Sequence, residues 1–226
     1  DYPSTSSINK LNSLISIAII LTWISMVLLF ASFCRKLYPA QKELSRKIIH
    51  IGTGPIIPLA WVLEISAKLA IPVASLITLS LLINHRLQLL PAMEDINRQS
   101  YGTIAYGLSI TYLLIALWPQ NAVAVTVGIL VMSFGDGLAG LIGPKINSPD
   151  WVILGQRKSV AGTMTMAIVV AIVLLLVTII SGVSIQPLWL IAITCLAVGL
   201  EQIGPWGIDN LTVPIGVAYV WLLATA

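Results

Sequence analysis

Charge is the scarcest thing in this sequence: Asp, Glu, Lys and Arg make up 9% of 226 residues, against about 25% in an ordinary soluble domain. That is too little to clothe a water-facing surface, and with 58% of the chain hydrophobic the surrounding solvent is lipid. Cysteine is nearly absent. Cys34 and Cys195 stand apart at helix ends, with no CxxC or Cys/His cluster, which argues against a disulfide framework or a zinc site. The Walker A pattern GxxxxGK[ST] is missing, so a P-loop route to nucleotide binding is excluded. Internal repeats, low-complexity stretches and linker-like shifts in composition are missing too, and residues 1 to 226 read as a single domain.

What the sequence does have is long apolar runs. Residues 11 to 34, LNSLISIAIILTWISMVLLFASFC, carry no charge and exceed the ~20 residues a helix needs to cross ~30 Å of hydrocarbon. The run is too long for a signal-peptide core and reads as a retained helix. Backbone amides in lipid must bond within their own segment or within a closed barrel, and runs this long without alternation specify helices. Further helices are expected at 48 to 63, 69 to 83, 102 to 117, 122 to 143, 160 to 180, 187 to 200 and 211 to 224. The fold class is therefore all-α, a polytopic bundle of about eight transmembrane helices.

The net charge is +3, but its cations sit in short loops between spans, which removes the case for nucleic-acid binding. With eight spans, Arg35, Lys36, Lys42, Arg46, Lys47, Arg86, Arg98, Lys145, Arg157 and Lys158 fall on one face. By the positive-inside bias that face is cytoplasmic and both termini lie opposite. Glu43, Glu94, Asp95, Asp136, Asp150, Glu201 and Asp209 gather on the same face. Insertion does not require acids there, so a polar site is expected at that end of the bundle.

Four stretches carry chemistry. In FGDGLAGLIG, Asp136, Ala139, Gly140 and Gly143 are spaced i, i+3, i+4 and i+7, placing a carboxylate above a groove of small residues on one helix face. Such spacing also serves plain helix packing. A carboxylate at a membrane end, however, must meet a cation, a metal or water. In GQRKSVAGT, Arg157, Lys158 and Ser159 precede a helix whose first turn holds Gly162. Free amides, helix dipole and basic side chains together suit phosphate, while the bland alternative is a pair of positive-inside anchors. In EQIGPWGIDNLTVP, glycine and proline break the helical pattern, so Glu201, Asp209 and Asn210 are expected to line a wet cavity. In SRKIIHIG, Arg46, Lys47 and His50 stand at a helix entrance, suited to phosphate or a lipid headgroup as well as to simple packing. The stretch EDINRQSYGTIAYG reads equally as a polar site or as a solvated loop with interfacial tyrosines.

These motifs, in this order, resemble the CTP-dependent lipid-alcohol kinases, which include phytol kinase, dolichol kinase and a yeast-type diacylglycerol kinase. The likeness rests on RKIIHIGTG, YGTIAYG, the pair GDGLAGLIG and GQRKSVAGT, and the late GIDNLTVP. The short chain and the DNLTVP element look most like the phytol and farnesol kinase branch. Where the family pattern has Glu after its basic element, this chain has Ala161. The resemblance implies transfer of the γ-phosphoryl group of CTP to a prenyl alcohol drawn from the bilayer, with Mg²⁺ as cofactor. It also implies roles. Asp136 and Asp209 would hold the metal, and Asp209 or Glu201 would orient the hydroxyl. Arg157, Lys158 and the following helix amides would neutralise the triphosphate. Two other readings compete: a CDP-lipid synthase, which attacks the α-phosphate, and a transporter, for which broken helices with buried charge are also expected.

Overall fold

A computed structural model of the chain describes residues 5 to 87 and 101 to 226. The polar stretch holding Glu94, Asp95 and Arg98 lies outside the described residues. Ten α-helices are present among them: α1 Thr5–Leu37, α2 Lys42–Thr53, α3 Ile56–Val62, α4 Ala67–Leu87, α5 Gly102–Leu117, α6 Ala122–Leu130, α7 Gly137–Ile142, α8 Val160–Ser181, α9 Pro187–Gln202 and α10 Asp209–Thr225. Four stretches are long and apolar enough to cross a membrane: Ser13–Leu37, Ala67–Leu87, Ala122–Lys145 and Val160–Ser181. At 16 residues each, α5 and α9 rise about 24 Å, somewhat less than a full hydrocarbon core.

Two expectations need correction. The helix predicted over 48 to 63 is split into α2 and α3 at Gly54 and Pro55. The backbone there stays near helical dihedrals, but Pro55 has no N–H to continue the ladder. The connection expected as a loop after Gly143 contains an antiparallel hairpin, β1 Asp150–Ile153 with β2 Gln156–Ser159, in which Trp151 pairs with Lys158 and Val152 with Arg157. Among the described residues the fold is helical with this one small hairpin.

The segment Ala122–Lys145 runs through the middle of the bundle and is more buried than the other three long stretches. It begins as α6, widens into a π-helical turn over Val131–Asp136, and resumes as α7. Val125, Val127, Ile129, Val131 and Met132 on it are wholly buried, against Val213, Val217 and Trp221 of α10 and Val170 and Leu174 of α8. Gly128 allows α10 this close, because a Cβ there would strike the carbonyl oxygen of Pro214. The outward faces of α1, α4 and α8 display Leu29, Phe30, Leu76, Ile172 and Ile179, a surface that water would not tolerate at this extent but lipid accepts.

Candidate active site

The π turn ends at Asp136, and such turns re-aim side chains out of the regular helical register, often at functional sites. Asp136 there meets two carboxylates from a second direction: Glu201 in the last turn of α9 and Asp209 at the start of α10. Donor oxygens of all three lie within 4.8 Å of one another. The turn between α9 and α10 makes this meeting, with Trp206 at φ 54° and Gly207 at φ 88° reversing the chain. Gly204 packs so tightly on Asp209 that a Cβ would sit 2.6 Å from the Asp209 backbone nitrogen.

Two lysines answer the three acids. Lys47, buried on α2, places Nζ 2.6 Å from Oδ2 of Asp136 and also donates to the Asp136 carbonyl oxygen at 3.2 Å. Lys158, on β2, pairs with the Glu201 carboxylate and donates to its carbonyl oxygen at 2.9 Å. Gln202 fixes the other oxygen of Glu201, its amide donating to Oε2 at 2.9 Å and to Thr163 at 3.0 Å. His50, one turn beyond Lys47, stands 3.5 Å from Asp136 and packs its ring on Tyr106, centroids 4.4 Å apart. Asn210 donates to Asp209 at 3.3 Å.

Two ammonium groups do not neutralise three clustered carboxylates, and like charges this close raise one another's cost of ionisation. The negative charge left over favours a cation, and an all-oxygen donor set suits a hard divalent ion such as Mg²⁺. The donor set therefore fits a metal at Asp136 and Asp209, and Glu201 offers a third donor oxygen within reach.

These groups line one cavity of about 820 Å³, within the range of small-molecule sites. The expected residues Arg46, Ala139, Gly140 and Gly143 lie on its wall, as do Arg157, Ser159 and Gly162; His50 does not line it and stands behind Asp136. Several depart from the roles the sequence suggests. Arg157 is 78% exposed and bound to Asp150, and Arg46 is held by Glu43 at 2.7 Å. The α8 amides are not free either: Val160 donates to the Pro149 carbonyl at 3.0 Å, Ala161 to Ser148 at 3.1 Å and Gly162 to the Ser159 cap at 3.1 Å. These three amides are closed by their own loop and offer no free N–H to a phosphate. The glycine face of α7 serves packing, since a Cβ on Gly140 would lie 2.6 Å from Lys47 Cε and one on Gly143 2.9 Å from Gly162 Cα.

Comparison with known proteins gives this cavity a context. A phytol kinase of Synechocystis is 35% identical over 220 residues, covering 92% of this chain and 94% of that protein. The chain belongs to the phytol and farnesol kinase branch of the lipid-alcohol kinases. Two more distant relatives are chloroplastic proteins of Arabidopsis thaliana. Phytol kinase 1 is 26% identical over 64% of this chain and 50% of its own length, and a farnesol kinase is 29% identical over 56% and 45%. No family model and no solved structure matches.

For this kinase-family chain, sequence reasoning placed Glu43, Lys145 and Asp150 on the polar face without giving them a site role and gave none to Gln202 and Thr163; all five line the cavity. Gln202, beside Glu201, was the one with a visible signal: a second polar side chain at the end of an apolar helix.

Proposed function

We propose that this protein is a membrane prenyl-alcohol kinase that transfers the γ-phosphoryl group of CTP to phytol or a related alcohol. The observation that carries the proposal is the convergence of Asp136, Glu201 and Asp209 with Lys47 and Lys158 in one cavity, in a chain alike to a phytol kinase along nearly its whole length. Phosphoryl transfer asks for positioning and charge neutralisation rather than covalent chemistry, and this constellation offers both. Asp136 and Asp209 would hold Mg²⁺, which when bound supplies positive charge to the β- and γ-phosphates. Lys158 and Lys47 would turn from their carboxylates toward phosphate oxygens. The alcohol oxygen bonds to the γ-phosphorus, the bond to the bridging oxygen breaks, CDP leaves, and the hydroxyl proton passes to Asp209 or Glu201. Donor oxygens of Asp209 and Glu201 both lie within 4.8 Å of one from Asp136, so whichever of the two does not hold the metal would be in place to take the proton.

The apolar tail stays in the bilayer. Eight crossings, counting α2 with α3 and α6 with α7, would place the cavity at the cytoplasmic face, consistent with the cations around it. The test uses purified protein with Mg²⁺, CTP, UTP and ATP in turn, and phytol, farnesol and geraniol. Label from the γ position appearing in lipid with release of CDP supports the kinase. Label from the α position with release of pyrophosphate would instead identify a cytidylyltransferase.

A further inference from the structure

We propose that the prenyl tail leaves the polar cavity past Trp206, and that this indole positions the first isoprene units so that the hydroxyl reaches Asp209. The inference rests on the prenyl-alcohol kinase reading and adds to it the route of the acceptor. A cavity that accepts both a triphosphate and a lipid alcohol needs a polar wall for one and an apolar exit for the other. Among the described residues lining it, Ile146 and Trp206 are the only large apolar side chains. Ile146 stands between Lys145 and Asn147, so a tail leaving there would cross polar surface. Trp206 stands between Ile203 and Ile208; the three are 61%, 58% and 43% exposed in the order Trp206, Ile203, Ile208. Three exposed apolar side chains thus fall within one six-residue turn that borders the cavity through Trp206, three residues before Asp209.

The backbone adds a second argument. Trp206 holds φ 54° and ψ 21°, a left-handed conformation rarely adopted by a bulky side chain. Its carbonyl oxygen accepts the N–H of Tyr101 at 2.9 Å, which ties the turn to the start of α5. Anchoring a helix at the membrane interface asks only that an aromatic ring sit at headgroup level. Here the strained turn sets the indole on the cavity wall while Asp209 opens α10 beside it, and strain retained at a site is a mark of function.

The experiment has two arms on the full chain in lipid nanodiscs. In the first, a farnesol analogue carrying a diazirine near the hydroxyl is photolysed on the unmutated protein and adducts are mapped by mass spectrometry. Adducts within residues 203 to 208, suppressed by excess farnesol, are expected. Adducts confined to other segments overturn the route. In the second arm, Trp206→Ala should raise the alcohol KM about tenfold, the scale of one lost aromatic contact. Nucleotide KM should stay within about twofold, and Trp206→Phe should recover most of the loss. A rise in nucleotide KM with alcohol KM unchanged would mean that the indole faces the nucleobase, and no change in either would leave it an interfacial anchor; both refute the proposal. Adducts at the turn in a protein that transfers phosphate from no nucleotide would remove the kinase reading and keep the tail route. Phosphorylation without adducts or a KM shift would do the reverse.

Discussion

Asp136 and Lys47 are 89 residues apart in the chain and both are largely buried, at 15% and 9% side-chain exposure. Breaking such a pair from one side leaves the other charge stranded, at a cost of about 3 kcal/mol or more. Asp136→Asn should therefore do two separable things: abolish detectable phosphoryl transfer and lower the melting temperature. Adding Lys47→Met should restore much of the stability and none of the activity, a double-mutant cycle readable by scanning fluorimetry beside the transfer assay. If the single variant kept near-normal turnover, Asp136 would have no part in the chemistry. Lys158 calls for a different measurement, because Lys145 lines the same cavity and is no neutral comparison. Lys36, exposed at the end of α1, is one. Lys158→Met should raise nucleotide KM about tenfold through loss of a charge-assisted phosphate contact, while Lys36→Met leaves it alone. Equal small effects would reduce Lys158 to a structural partner of Glu201. The individual acids were legible in the sequence, because a carboxylate inside an apolar run has few ordinary explanations. Their partners were not: nothing local tells that Lys47 meets Asp136 and Lys158 meets Glu201, since those pairings join segments 89 and 43 residues apart in the chain.

The four long helical stretches were readable from their apolar runs, and the boundaries of α5, α8 and α9 fall within a few residues of the expected ones. The hairpin was not readable, because DWVI and QRKS are four residues each and carry no sustained alternation to set against the basic helix-entry motif they contain. Nor did spacing alone decide what the small-residue face of α7 is for. The structure separates its two glycines, and that separation can be measured. A Cβ at position 140 would press on the flexible end of Lys47, 2.9 Å from its Nζ. Gly140→Ala should thus fold nearly as well as the parent but push the ammonium off Asp136, with kcat/KM falling by as much as about a hundredfold for a misplacement of this size. A Cβ at 143 would meet the Gly162 backbone at 2.9 Å, which cannot swing aside. Gly143→Ala should lose about 1 to 3 kcal/mol of stability as α7 and α8 are forced apart. Both effects come from one assay pair, thermal melting and turnover. Two variants with the same profile would refute the division of labour.

For the whole molecule, the cavity itself constrains topology. It draws on Arg46 and Lys47 of α2, on Gly143 and the hairpin, and on Glu201 to Asn210, so these three regions share one end of the bundle. The 22 residues of α8 then carry the chain away from that end, and the 16 of α9 bring it back, which places Ser184 at the opposite end. Arg46, Lys47, Lys145, Arg157 and Lys158 lie with the cavity, and on the positive-inside bias we propose that this end is cytoplasmic. In a chain whose Cys34 and Cys195 are replaced by serine, single cysteines at Val152 and Ser184 provide the test. Val152 is 69% exposed and Ser184 is exposed in the connection between α8 and α9, so an impermeant maleimide should reach each from one side only. Val152→Cys should label in inverted vesicles, where the cytoplasmic face is outward, and Ser184→Cys in right-side-out vesicles. Labelling of both from the same side would mean that α8 and α9 do not cross as a pair, and the arrangement of eight crossings would fail with them. Opposite labelling with Val152 outside would keep the crossings and reverse the membrane face, which would require the nucleotide to arrive from the other compartment.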